Sequence, residues 1–212
     1  VSADRTLLQV NQRICSMLGY TGDELVGHSA RVVYPSDEEF ERVGREKYDQ
    51  IDERGAGSVE TRWQCKDGRI IDVLLSSVPL DPTDPSAGFT FTALDITERK
   101  RVERLLRLQR DLGFAIGATN DLTAAAQHVL DAACQIEGVD CGGLYLVDEK
   151  TGCLELIFHQ GLSSEFVART ARYDSDSPQA RFALAGQPAH GRYADLVPSA
   201  DEACRREGLQ AM

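Results

Sequence analysis

Ala93-Leu94-Asp95-Ile96-Thr97-Glu98-Arg99-Lys100 decides how this chain is read, because a β-rich segment passes there into a charged helix. Upstream, Lys66-Asp67-Gly68 separates two strand-like runs. Downstream, Val102, Leu105, Leu106, Leu112 and Ile116 recur at a three- or four-residue beat with Arg and Glu elsewhere. A sheet whose last strand runs straight into an amphipathic helix can pass a change in the sheet to whatever the helix touches. Asp95 or Thr97 can cap the first helical turn and so fasten strand end to helix start.

Three strands precede that junction. Ser58 to Cys65 and Ile70 to Val78 flank Asp67-Gly68, a hairpin signal in which glycine supplies positive φ without steric cost. A proline-bearing loop from Asp81 to Ser86 leads to a third strand, Gly88 to Ile96. Period-two alternation puts Val59, Thr61 and Trp63 on one face and Glu60, Arg62 and Gln64 on the other. Phe89, Phe91 and Ala93 align in the third strand. In the middle strand Asp72/Leu74/Ser76 and Val73/Leu75/Ser77 are nearly balanced in polarity, so alternation leaves its inward face open.

The helices come first along the chain. Leu7 to Val10 reads as the end of a strand, and Asn11 caps a short helix that stops at Gly19. Thr21-Gly22-Asp23-Glu24 and Ser36-Asp37-Glu38-Glu39 both have capping-box spacing, the second opening a longer helix that ends near Gly55. An antiparallel sheet with helices gathered on one side is an α+β arrangement. A second unit begins at Asp121, which caps a helix carrying Leu122, Ala126, Val129, Leu130, Ala133 and Ile136 as far as Gly138. Strand-like Gly143 to Val147 and Cys153 to His159 flank a hairpin loop at Asp148 to Gly152. Ser163 to Tyr173 reads as a helix, and Ser177-Pro178 opens another that closes at Gly186.

Composition narrows the function classes. The 212 residues are long enough for one large or two small domains, and 42% hydrophobic residues support packed cores. Thirty-four Asp plus Glu against 23 Lys plus Arg give a net charge of −11, which repels nucleic-acid phosphates. No apolar run is long enough to cross a bilayer, and Val1 in place of methionine fits a piece of a longer protein. The six cysteines are scattered without a C-x-x-C pair, which points to reduced thiols in a cytosolic protein rather than disulfides or structural zinc. No convergent set of nucleophile, base and oxyanion donors stands out.

Residues 1–100 resemble a PAS domain, of the type with a C-terminal extension motif. The motifs are Val10-Asn11, Met17-Leu18-Gly19-Tyr20-Thr21, Glu24-Leu25-Val26-Gly27, Lys66-Asp67-Gly68 and Asp95-Ile96-Thr97-Glu98-Arg99-Lys100. From about residue 107 onward the chain is similar to the front of a GAF domain, through Asp121-Leu122, the strands around Asp148 to Gly152, and Leu184-Ala185-Gly186-Gln187-Pro188. The GAF family's closing strands are missing, so that domain reads as incomplete. The resemblance implies a PAS domain over 1–97, a signalling helix over 98–117 and a partial GAF domain over 118–212. It further implies the cytoplasmic input region of a bacterial two-component sensor histidine kinase, with output supplied by a domain outside these residues. The input region of a diguanylate cyclase or of a transcriptional activator is the alternative, as is a ligand-free dimerisation module.

The same resemblance supplies site expectations. Thr61, Trp63, Leu74, Ser76 and Phe91 are expected to line a small-molecule pocket, with the middle-strand members taken from the family's inward face. Asp95 and Thr97 are expected to couple the sheet to the helix. Val102, Leu105 and Leu112 are expected to pair with their counterparts in a parallel homodimer. No haem, flavin or bilin signature is present: the helix from Ser36 to Arg54 lacks histidine, and no cysteine stands in an asparagine-cysteine-arginine motif or a bilin-attachment context. His28, His128 and His159 read as surface or hydrogen-bonded residues. Cys134, Cys141 and Cys153 have no basic sequence neighbour that would activate a redox thiol.

Overall fold

A computed structural model describes residues 1–186, 188, 190, 191 and 206–209 of the chain. Gln187 and Cys204 therefore lie outside the described residues. The chain divides into two units, Val1–Arg104 and Leu105–Met212.

The first unit begins with three helices whose ends are set by side-chain caps. In α1 (Gln12–Leu18) the Asn11 side chain accepts from the Ile14 N–H at 2.9 Å. In α2 (Gly22–Leu25) the Glu24 carboxylate reaches back to the Thr21 N–H at 2.9 Å. A single 3-10 turn, Ala30–Val33, separates α2 from α3 (Asp37–Arg54), which Ser36 caps through the Glu39 N–H. Gly19 and Gly55 terminate α1 and α3 at φ 78° and 74°, left-handed conformations that favour glycine. Leu7 to Val10 does not end a strand. Only Thr6 bridges Ser29, while Leu7 bonds to the His28 carbonyl and the Gly27 N–H, because its buried side chain draws the segment onto the turn after α2.

Strands β1 (Gly57–Gln64), β2 (Ile70–Pro79) and β3 (Phe89–Asp95) form one antiparallel sheet in that order. The Cys65–Arg69 turn sets the register, with Trp63 opposite Ile71, Thr61 opposite Val73 and Val59 opposite Leu75. Directly opposed residues share a face of the sheet. The inward face is therefore Val59, Thr61 and Trp63 with Ile71, Val73, Leu75 and Ser77, all buried. Against it pack Leu18 of α1, Leu25 of α2 and Val43 of α3. Helix α4 (Thr97–Gly117) starts two residues after β3 ends and has no buried residue along its length.

The second unit is also α+β. Helix α5 (Leu122–Ala133) is capped by Asp121 through the Thr123 N–H at 3.0 Å and gives way to turns before Gly138. Strands β4 (Gly142–Val147) and β5 (Leu154–Gln160) pair antiparallel, with a bulge between Leu144 and Tyr145. Helix α6 (Ser164–Thr170) is shorter than its sequence pattern predicts. Arg172 and Tyr173 leave it to form β6 (Arg172–Tyr173) against β5. Tyr173 packs on Tyr145 with ring centroids 5.5 Å apart, a contact unavailable from the helix. Helix α7 (Pro178–Leu184) follows, and among the described residues of this unit Ala126, Leu130, Cys153, Leu154, Phe166 and Ala180 are the buried apolar ones.

Candidate functional site

A cavity of about 40 Å³ opens between the sheet's inner face and the helices of the first unit. Leu18, Leu25, Val33, Leu75 and Phe91 form its apolar wall. Four polar side chains join them: Arg5, Tyr34, Lys47 and Trp63. Trp63 is buried and sits edge-on to Tyr34 at 6.2 Å, and its indole N–H has no hydrogen-bond partner. The Arg5 guanidinium stacks on the Phe40 ring at 3.2 Å. To reach it, the Arg5 backbone adopts φ 66°, the one positive φ of a non-glycine among the described residues. Bonds from Ala30 N–H to the Arg5 carbonyl and from Arg5 N–H to the Ser2 carbonyl hold that strained conformation.

Lys47 enters the cavity from α3. With Val43 and Ile51 it occupies the helix's buried stripe, where an apolar residue is the norm. Burial, and then the charge of Arg5, push its ammonium down to about 8. Burial likewise pushes the Tyr34 phenol up, partly offset by Trp63 and Arg5 beside it. In the sequence, a lysine four residues from Val43 and four from Ile51 is the one visible sign of Lys47. Arg5 gave no comparable signal, because its approach depends on one backbone angle.

The expected pocket residues separate into three groups. Trp63 and Phe91 line the cavity. Thr61 is buried but turned to α3, donating to Glu39 Oε1 at 2.6 Å. Leu74 and Ser76 are corrections. The Trp63–Ile71 register turns them to the opposite face, where Ser76 Oγ lies 2.9 Å from Ser58 Oγ, and Leu75 lines the cavity instead.

Glu39 joins α3 to β1. It accepts from Arg42 Nη2 at 2.7 Å, from Thr61 and from the Arg62 N–H at 3.3 Å. Arg42 first, with help from Thr61 and Arg62, lowers its carboxyl to about 2. A carboxyl whose folded pKa is depressed stabilises the fold above its unfolded value and loses that contribution as pH falls from about 4.5 toward 2. We expect Glu39→Gln to lose stability at neutral pH and to show a shallower acid-side decline than the parent. Urea unfolding of both proteins at several acidic pH values checks this, and parallel declines would refute it.

At the strand–helix junction, the Asp95 carboxylate accepts from the Thr97 N–H at 2.9 Å, and the Thr97 hydroxyl accepts from the Asp72 N–H at 2.9 Å. Ile96 is buried and donates its N–H to the Asp72 carbonyl at 2.9 Å. Lys100 Nζ lies 3.0 Å from Glu60 and 3.1 Å from Asp72, and Arg99 lies 2.7 Å from Glu60. The first turn of α4 is thus tied to both β1 and β2. Arg99 and Lys100 belong to the junction motif visible in the sequence, whereas their partners Glu60 and Asp72 on the outward strand faces follow only from the strand register.

Elsewhere, His28, His128 and His159 are exposed. Cys153 does have a basic neighbour: Arg172 Nη2 lies 3.4 Å from its Sγ, and Thr151 and Arg172 lower its thiol. The fold brings Arg172 there through β6, nineteen residues away in sequence, and the sulfur side chain is buried. No helix among the described residues is long and apolar enough to cross a membrane.

Comparison with known proteins finds one family over the residues that build the sheet, the capped helices and the cavity. The family profile for the PAS domain matches residues 1–98. The sensor protein TdiS of Thauera aromatica is 34% identical over 101 residues, covering 47% of this chain and 18% of its own. The C4-dicarboxylate transport sensor protein DctS of Rhodobacter capsulatus is 26% identical over 149 residues, covering 68% of this chain and 23% of its own. The chain therefore spans less than a quarter of the length of these relatives. Among solved structures, the PAS domain of a LuxR-family transcriptional regulator from Burkholderia thailandensis, in complex with ethanol, is 26% identical with a TM-score of 0.41. It covers 44% of this chain and 82% of its own. The three-stranded sheet, its capped helices and the Asp95–Thr97 clasp belong to a matched stretch that identifies residues 1–98 as a PAS domain.

Proposed function

We propose that this chain is the cytoplasmic sensory input region of a signal-transduction protein, a two-component sensor histidine kinase in the first instance. A small molecule in the PAS cavity biases the sheet, and the β3–α4 junction carries that bias to a catalytic output domain elsewhere in the parent protein. One observation carries this reading: the Thr97 hydroxyl accepts the Asp72 N–H of the sheet's middle strand at 2.9 Å, so the first turn of α4 cannot be displaced without breaking a bond to the sheet. A ligand transmits only if it binds one arrangement of the junction better than the other. Val102 and Leu105 are exposed and Leu112 is half-buried on α4, which suits pairing with a second copy in a parallel homodimer. The Leu105–Met212 unit, with α5 beside an antiparallel β4–β5–β6 sheet, is read as GAF-like.

Thr97→Val in the full-length parent tests the coupling. It keeps the shape of the side chain and removes the acceptor, and we expect the signal-dependent change in output to fall roughly fivefold or more. Asp95→Ala should act in the same direction. Output and signal response both unchanged in the two variants would overturn the reading.

A further inference from the structure

Two cations face the same cavity without an anion. Lys47 is only 8% exposed, and Arg5 is held there by a strained backbone and the Phe40 ring. No described carboxylate lies within 4.0 Å of either head group. A buried charge without a partner is costly, and two like charges beside one cavity add repulsion. Around Lys47, Arg5 is positive, and the Tyr48 ring face at 4.9 Å supplies a cation–π contact rather than an anion. The buried Trp63 N–H is a third donor on the same wall; its polar neighbour is the Tyr34 hydroxyl, with which it makes no well-formed hydrogen bond. The rest of the lining is mostly aliphatic, and the volume admits a handful of heavy atoms. Such a site fits a molecule with one anionic end and a short apolar body.

We propose that the PAS cavity takes a short-chain carboxylate, whose oxygens pair with Arg5 and Lys47 and with the Trp63 N–H while its alkyl end rests on Leu18, Leu25 and Leu75. The proposal rests on the sensory reading above and names the ligand class. Spherical anions such as chloride would satisfy the charges and leave the aliphatic wall unused. An uncharged ligand would leave both cations unpaired.

The test is calorimetric titration of the 212-residue chain with sodium propionate, with propionamide as the uncharged isostere and sodium chloride as the ionic control. We expect propionate to bind roughly tenfold or more tightly than propionamide, the scale of charge-assisted hydrogen bonds. Lys47→Met and Arg5→Gln should each remove most of that preference. At about pH 9, where Lys47 of the empty protein is largely neutral, propionate binding should take up protons in the parent and none in Lys47→Met. Lys47→Met removes a buried charge, so it is expected to fold and remain testable. Equal binding of propionamide, equal stabilisation by chloride, an affinity insensitive to both variants, or no propionate binding overturns the proposal. If propionate fails while Thr97→Val still uncouples the parent protein, the ligand class is wrong and the sensory reading stands. The reverse pattern leaves the carboxylate site and removes the coupling.

Discussion

Lys47→Met should make the ligand-free protein more stable at neutral pH by about 3 kcal/mol, an unusual direction for a substitution in a core. The folded state holds this ammonium at about 8, against an ordinary 10.5. Between those values the unfolded chain binds more protons than the folded one, so unfolding becomes harder as pH rises through the window. The penalty is therefore complete below about pH 8 and disappears toward pH 10.5. Methionine fills the stem of the lysine without the charge, and the advantage of the variant should shrink steadily across the window. Tyr34, Tyr48 and Cys65 are pushed up by burial and oppose the trend on the alkaline side, but they are present in both proteins and cancel in the difference. Guanidinium unfolding of parent and variant near pH 7 and near pH 10 measures it. A variant less stable than its parent at neutral pH, or a difference that does not change with pH, would mean that Lys47 has a partner in the folded state.

The fold of the first unit was legible because its signals are local. Asn11, Thr21 and Ser36 each sit where a cap must be, and Gly19 and Gly55 where a helix must stop, so the boundaries of α1, α2 and α3 follow from single residues. The cavity was less legible because its lining depends on register. Alternation in β2 is balanced, and the residues chosen for its inward face were one position out of phase. The turn decides the phase. Once Cys65 and Arg69 close the hairpin, Trp63 must oppose Ile71, and Leu75 rather than Leu74 falls on the buried face. In the second unit β6 escaped notice because two residues, Arg172 and Tyr173, carry no periodicity. Tertiary contacts of Tyr173 with Tyr145 and of Arg172 with Glu155 decide their state.

Trp63 carries the other large expected effect, and two substitutions separate its roles. Trp63→Ala should cost about 3–5 kcal/mol, the usual loss when a buried aromatic is truncated and its cavity stays open. The loss falls on the edge-on contact with Tyr34 at 6.2 Å and on a core that also includes Val33, Ile71 and Val73. Trp63→Phe is different. It keeps an aromatic ring against Tyr34 and deletes an indole N–H that has no partner in the ligand-free protein. An unsatisfied buried donor contributes nothing favourable, and its removal offsets part of the lost volume, so Trp63→Phe should cost no more than about 1 kcal/mol. Stability and binding then part company. The N–H that the empty fold can do without is the donor a carboxylate would use, so Trp63→Phe should weaken propionate while barely moving the unfolding midpoint. A filler role predicts the opposite, with propionate affinity following packing and the two substitutions ranked by volume alone. Chemical denaturation and titration of the same two variants decide between them.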